Sequence, residues 1–190
     1  FDELKPEKRA RYTQSEIHFV NTQFQHLKLV REKEETDRDK YAILSSGGKD
    51  SLLTYGLIKE IGEPYPVFIN EAGRHWFTAI NAHRFYRENE PNTAKPWCNS
   101  DRLYNWMLKQ FPFIKENYAS IRADIYPIRL WTVAVFLFGV LPVVRKKGIG
   151  NVLIGDEYDT TIRGNLGGIS HYSALYDQSK YFDNAMTRYY

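Results

Sequence analysis

The sequence has one cysteine, Cys98, in 190 residues. A single cysteine cannot build a disulfide framework or a multi-cysteine zinc site within the chain. Beside Lys95, Pro96, Trp97 and Asn99 it reads as a small buried hydrophobe more readily than as a reactive thiol. None of the five histidines, His18, His26, His75, His83 and His171, falls in a His-Glu-x-x-His pattern, so zinc catalysis of that type is not indicated. Charge of one sign is also scarce. The 26 basic residues exceed the 23 acidic ones only enough for a net charge of +3, which leaves nucleic acid open as a partner without pointing to it. A membrane-spanning helix needs about 20 apolar residues. Leu130–Val144, the uncharged stretch that comes nearest, is shorter and contains Pro142, so it reads as a helix buried in the fold. No membrane partner is expected. The first residues, Phe1–Arg11, are too charged for a secretion signal, and a cytoplasmic setting is expected. There is no internal repeat and no low-complexity tract. The start at Phe1 and the stop at Tyr189-Tyr190 suggest a piece of a longer chain.

What is present is a composition suited to a globular core, 43% hydrophobic and 26% charged, with an unusual 15% of aromatics. The chain is organised around one stretch, Tyr41-Ala42-Ile43-Leu44-Ser45-Ser46-Gly47-Gly48-Lys49-Asp50-Ser51. Tyr41–Leu44 is a compact apolar run, as expected of a buried parallel strand. Gly47 and Gly48 permit unusual backbone angles and close approach of a ligand to the main chain. Asp50 and Ser51 open a helix that carries Leu52, Leu53, Leu57, Ile58 and Ile61, and Gly62 is expected to close it. A strand feeding a glycine turn at a helix N-terminus offers N–H groups and positive potential to an anion.

The type of anion loop can be narrowed by spacing. Leu44 stands where the first glycine of a Walker-type loop would be, and Asp50 follows Lys49 where that loop has Ser or Thr. Adjacent Gly47 and Gly48 also break the dinucleotide pattern. The run Ser46-Gly47-Gly48-Lys49-Asp50-Ser51 instead resembles the Ser-Gly-Gly-x-Asp-Ser signature of the PP-loop ATP pyrophosphatases, at every position. That resemblance implies an α/β fold, a Rossmann-like three-layer sandwich with a mostly parallel sheet (the HUP, or adenine nucleotide α-hydrolase-like, fold).

Taken in order, residues 1–40 form an N-terminal extension with a helix over Thr13–Glu34, striped by Ile17, Val20, Phe24 and Leu27, and a mixed-charge linker. Residues 41–168 form the nucleotide-binding domain. Its second strand is expected at Val67–Asn70, with Pro64 and Pro66 in the connection before it. Helices are expected over Trp76–Glu88, from Asn99 or Ser100 onward, and through Leu130–Val144, with a further strand at Ser120–Tyr126 and a late one at Asn151–Ile154. The β–α–β order argues for a parallel sheet. Gly164, Gly167 and Gly168 mark a flexible loop. Residues 169–190 form a C-terminal segment, expected to continue, with no clean apolar stripe.

The resemblance implies roles residue by residue. Main-chain N–H groups of Gly47, Gly48, Lys49 and Asp50, with the hydroxyls of Ser46 and Ser51, would cradle the phosphates of ATP. The strand end Phe68, Ile69 and Asn70 would meet adenine through main-chain groups. The turn after the late strand resembles the family's second signature, which maps onto Gly155 and Asp159, with Asp156 a further candidate acid. Asp50 and Asp159 would hold Mg2+. Many family members carry a further Asp and a Glu where this chain has Thr160 and Thr161. The implied activity is adenylation of an acceptor with release of pyrophosphate, followed by attack of a nitrogen or sulfur nucleophile. Arg74, Arg129, Arg163 and Asn165 are the candidate acceptor contacts, and a homodimer is compatible with the family. Two alternatives stand beside this reading: a relative of the sulfate adenylyltransferase small subunit or of phosphoadenylyl-sulfate reductase, and a domain that binds nucleotide without turnover.

Overall fold

The computed structural model describes residues 5, 7, 18, 20, 35–70, 74–112, 115–117, 132–156, 158–172 and 176–189. The chain divides into two compact units, one of Phe1–Glu34 with Arg102–Pro127, the other of Glu35–Asp101 with Ile128–Tyr190. Of the predicted Thr13–Glu34 helix only His18 and Val20 are described, and neither is helical; the predicted Ser120–Tyr126 strand lies outside the described residues. In the first unit the described structure is most of one amphipathic helix, Ser100–Gln110, which buries Leu108 and leaves Leu103 and Trp106 exposed.

The second unit is a mixed α/β structure built on a parallel sheet. Its strands are β1 (Asp37–Leu44), β2 (Glu63–Val67) and β3 (Ile149–Ile154), in the order β2-β1-β3. Helix α1 (Lys49–Lys59) joins β1 to β2, α2 (Arg74–Asn89) follows β2, and α3 is the Ser100–Gln110 helix that leads out of the unit. Helix α4 (Thr132–Lys147) leads into β3. Tyr41 pairs with Pro64 on one side and Asn151 on the other, and Leu44 with Val67 and Ile154. Side chains of a strand alternate between faces. Ala42, Leu44, Tyr65 and Val67 therefore share one face, where they pack with Val140 of α4 and Ile149. Phe68 turns to the opposite face and packs with Ala79 and Tyr86 of α2 and with Tyr55 of α1. Helices thus cover both sides of the sheet. Leu52, Leu53 and Leu57 of α1 look outward, and Ile58 is the apolar residue of that helix that is buried.

Several element boundaries differ from those read off the sequence. β1 begins at Asp37, inside the charged stretch expected to be linker. β2 begins at Glu63 and contains Pro64 and Pro66, which the sequence placed in a connection. The reason is geometric. Val67 O accepts the Ser45 N–H on the β1 side, whereas Pro66 O accepts the Ala94 N–H on the other. Pro64 and Pro66 therefore point away from β1, and their missing N–H groups are not asked for by the sheet. The segment after α2 runs parallel beside the end of β2, bridging Val67 with Ala94 and Asn70 with Trp97. Helix α4 continues through Pro142 to Lys147, because that residue sits at an exposed point where the lost helical bond is tolerable. Among the described residues no helix is long and apolar enough to cross a membrane.

Gly62 does not adopt the expected left-handed cap. α1 is capped at Glu60, and a Cβ on Gly62 would lie 2.5 Å from the Tyr41 ring, so close approach is what requires glycine there. The glycine loop near residue 167 is a hairpin, β4 (Arg163–Leu166) and β5 (Ile169–Tyr172), turned by Gly167 and Gly168 at φ 59° and 86°. Two central residues at positive φ match the twist of a two-residue hairpin. The C-terminal segment forms α5 (Lys180–Tyr189), which buries Phe182.

Candidate functional site

The chain leaves β1 at Leu44, turns through Ser45–Gly48 and enters α1 at Lys49. Gly47 has φ +82°, and a Cβ on it would press at 3.2 Å against Ala79 Cα, Ala82 Cβ and the Thr78 carbonyl of α2. The turn therefore needs a glycine both for its backbone and for its contact with α2. Gly48 is different. It is the N-cap of α1 at φ −81°, ψ 171°, a conformation any residue can take, and an added Cβ would meet only Ser46 Oγ at 3.6 Å. It also provides no side-chain cap, although Ser, Asp or Asn would satisfy an N–H of the first turn. Among the described residues neither a positive φ nor a close contact requires glycine here, although glycine is an acceptable N-cap.

Hydroxyl groups hold the turn from within. The Gly47 N–H donates to Ser45 Oγ at 3.2 Å, Ser45 and Ser51 share a hydroxyl bond of 3.0 Å, and the Ser51 hydroxyl donates to the Gly48 carbonyl at 3.0 Å. Ser51 is 7% exposed, so its hydroxyl is engaged inside the loop, while Ser46 and Lys49 lie at the surface. Ser45 was missed by sequence reasoning. It lies just before the motif, and nothing in its neighbours distinguishes it.

The strand order reverses at β1, with β2 on one side and β3 on the other. Open parallel sheets bind ligands at the carboxyl ends of the strands where the order reverses. The two sequence motifs meet there. A Cβ on Gly155, just after β3, would lie 2.8 Å from Asp50 C and 2.9 Å from Asp50 O, so the turn after β3 rests on the first turn of α1. Thr54 Oγ1 also donates to that Asp50 carbonyl at 2.8 Å.

The strand end after β2 is more constrained than expected. The Phe68 N–H donates to Ala94 O, the Asn70 N–H to Pro96 O, and the Cys98 N–H to Asn70 O, each at 2.9 Å. The main-chain groups of Phe68 and Asn70 are thus committed to the neighbouring segment. Alternation turns Ile69 toward the β1 side, and it makes no main-chain hydrogen bond to the described residues.

Acidic residues accumulate near the β3 turn. Burial, and the like charges of Asp183, Asp177 and Asp50, push the Asp156 carboxyl up to about 6, although part of its surface remains exposed. Burial also raises Asp183. Asp177 is 2% exposed, and one of its carboxylate oxygens accepts the Val133 N–H of α4 at 2.9 Å. Asp177 and Asp183 come from the C-terminal segment, where the sequence offered no signal for them. Asp159 lies in the short helical turn Tyr158–Thr161, and its side chain is outside the described residues. Among the described residues no group of three His, Cys, Asp or Glu side chains is arranged to hold a metal ion.

The candidate acceptor contacts separate. Arg163 donates to the Tyr172 hydroxyl and lies over its ring, and Asn165 Oδ1 accepts the Gly168 N–H, so both carry bonds of the hairpin. Arg74 opens α2, and Arg129 lies outside the described residues. Of the histidines, His83 is buried between Phe68 and Trp76, and burial lowers its pKa.

No protein-family model, curated protein or solved structure matches the chain.

The raised Asp156 carboxyl predicts a pH effect. An acid whose pKa is higher in the folded state keeps a proton that the unfolded chain has lost. Stability from this group therefore falls as pH rises from about 4 to about 6. Asp156→Asn is expected to be more stable than the parent at pH 7, with the difference vanishing below about pH 4. Urea midpoints across pH 4–8 measure this. A constant difference between the two proteins at every pH would remove the assignment.

Proposed function

We propose that the chain is an ATP-binding enzyme of the PP-loop type, which adenylates an acceptor and releases pyrophosphate. We read its fold correspondingly as a Rossmann-like three-layer sandwich of the HUP, or adenine nucleotide α-hydrolase-like, kind. The observation that carries this reading is Gly48. Its backbone angles are open to any residue, it stands at the N-terminus of α1 without a side-chain cap, and it lies on the loop that ends the central strand. A phosphate approaching the first turn of α1 gives such a glycine a reason, since any side chain would fill its place.

In this reading the N–H groups of Gly48–Asp50 and the helix dipole receive the β- and γ-phosphates, the Gly47 N–H being held by Ser45 Oγ, with Ser46 and Lys49 at the surface beside them. Main-chain recognition of adenine falls to Ile69. A substrate oxygen bonds to the α-phosphorus as the bond from that phosphorus to the bridging oxygen breaks, and pyrophosphate leaves with the electron pair. A nitrogen or sulfur nucleophile then displaces AMP from the acceptor. The contribution of the chain is chiefly positioning and charge stabilisation. Asp50 and Asp159 would hold Mg2+, with Asp156 nearby. Mg2+ is commonly bound by one or two carboxylates together with substrate phosphates. When bound it would neutralise charge on the phosphates.

Calorimetric titration with an ATP analogue non-hydrolysable at the α–β bridge, in the presence of Mg2+, tests the reading. The parent is expected to bind in the micromolar range and Asp50→Ala at least tenfold more weakly. Failure of the parent to bind would end the proposal. Binding without pyrophosphate release across oxygen acceptors would instead favour a nucleotide-binding domain without turnover.

A further inference from the structure

Resting on that reading, we propose that Ser45 and Ser51 are positioning residues that hold the Gly47–Gly48 backbone in its receiving shape, and that Ser51 is not itself a phosphate ligand. The donors and acceptors permit one direction of bonding. The Ser51 hydroxyl has a single proton, and it donates to the Gly48 carbonyl. The bond between the two hydroxyls must then carry the Ser45 proton onto Ser51 Oγ. Ser45 Oγ keeps a lone pair for the Gly47 N–H. Each hydroxyl thus donates once and accepts once, and the relay ties residues on both sides of the turn to its two glycines. Gly47 most needs such a tie, because its positive φ is one of several conformations that glycine adopts readily. The burial of Ser51 fits a brace, since a phosphate ligand has to present its hydroxyl outward.

The relay acts as a unit, so its two ends should not contribute independently. Ser45→Ala and Ser51→Ala each remove two bonds of the relay and are each expected to weaken binding of the Mg2+-bound ATP analogue roughly tenfold. The double variant is expected to be no weaker than the worse single one. Ser45→Thr, which retains the hydroxyl, should restore binding to within about threefold. Amide order parameters of Gly47 and Gly48 give a readout independent of nucleotide. They should fall in both alanine variants and stay high in Ser45→Thr. Ser45→Ala with parental affinity beside a weak Ser51→Ala would make Ser51 a direct ligand and overturn the proposal. Strictly additive losses, or unchanged glycine order parameters, would overturn it as well. If the parent itself fails to bind nucleotide, the adenylation reading falls, and the order parameters alone decide whether the relay braces the turn.

Discussion

Gly48→Asp is expected to leave the chain folded and to remove nucleotide binding by a factor of a hundred or more. The backbone at Gly48 already has the extended angles of an N-cap, and its Cβ direction is open apart from Ser46 Oγ at 3.6 Å. Aspartate is a better N-cap than glycine by a few tenths of a kcal/mol, so the melting temperature should hold or rise slightly. The same carboxylate would take the N–H groups that a phosphate needs and add repulsion toward it. Gly47→Ala provides the contrast. Its φ of +82° and its 3.2 Å contacts with α2 predict a loss of about 1–2 kcal/mol in stability. Melting curves and calorimetric titration of the two variants separate a glycine kept for the fold from one kept for a ligand. Binding by Gly48→Asp within threefold of the parent would leave Gly48 unexplained and remove the main support for the proposed function.

Gly155→Ala should produce the second large effect, this time on both fold and site. A methyl group there would sit 2.8 Å from Asp50 C, 2.9 Å from Asp50 O and 3.0 Å from Thr54 Oγ1. Two of these atoms are backbone, so the turn after β3 and the start of α1 must move apart. Such overpacking costs about 1–3 kcal/mol. Because the displaced atoms belong to the first turn of α1, nucleotide affinity is expected to fall at least tenfold even where the variant is fully folded. Urea unfolding and titration below the midpoint measure the two losses separately. A variant that unfolds and binds as the parent does would mean that the two motifs do not touch.

The motif and its surroundings were legible because their signals are local. A short apolar strand, paired glycines and a helix start lie within fifteen residues, and the structure places strand, turn and helix in that order. Gly155 was also found from sequence, although its contact with Asp50 is tertiary and could not be. Prolines misled the reading of β2, because Pro64 and Pro66 are compatible with a strand only when its far side makes few demands. The hairpin at Arg163–Tyr172 lacks the alternating apolar residues that identify strands, and Gly167-Gly168 was its sole local cue. Asp177 and Asp183 join Asp156 through packing of the C-terminal segment, which no spacing in the sequence encodes. The engagement of Phe68 and Asn70 by residues 94–98 was hidden for the same reason.

The prolines of β2 have one more consequence. An exposed strand margin can template the addition of a foreign chain, and such growth needs donors as well as acceptors along the margin. Over Pro64–Pro66 the outward margin has no N–H, and the Pro66 carbonyl and the first donor beyond it, at Phe68, are already bonded to Ala94. A nascent or partly opened sheet therefore presents on this side a margin on which fibril-like stacking finds no continuous ladder to extend.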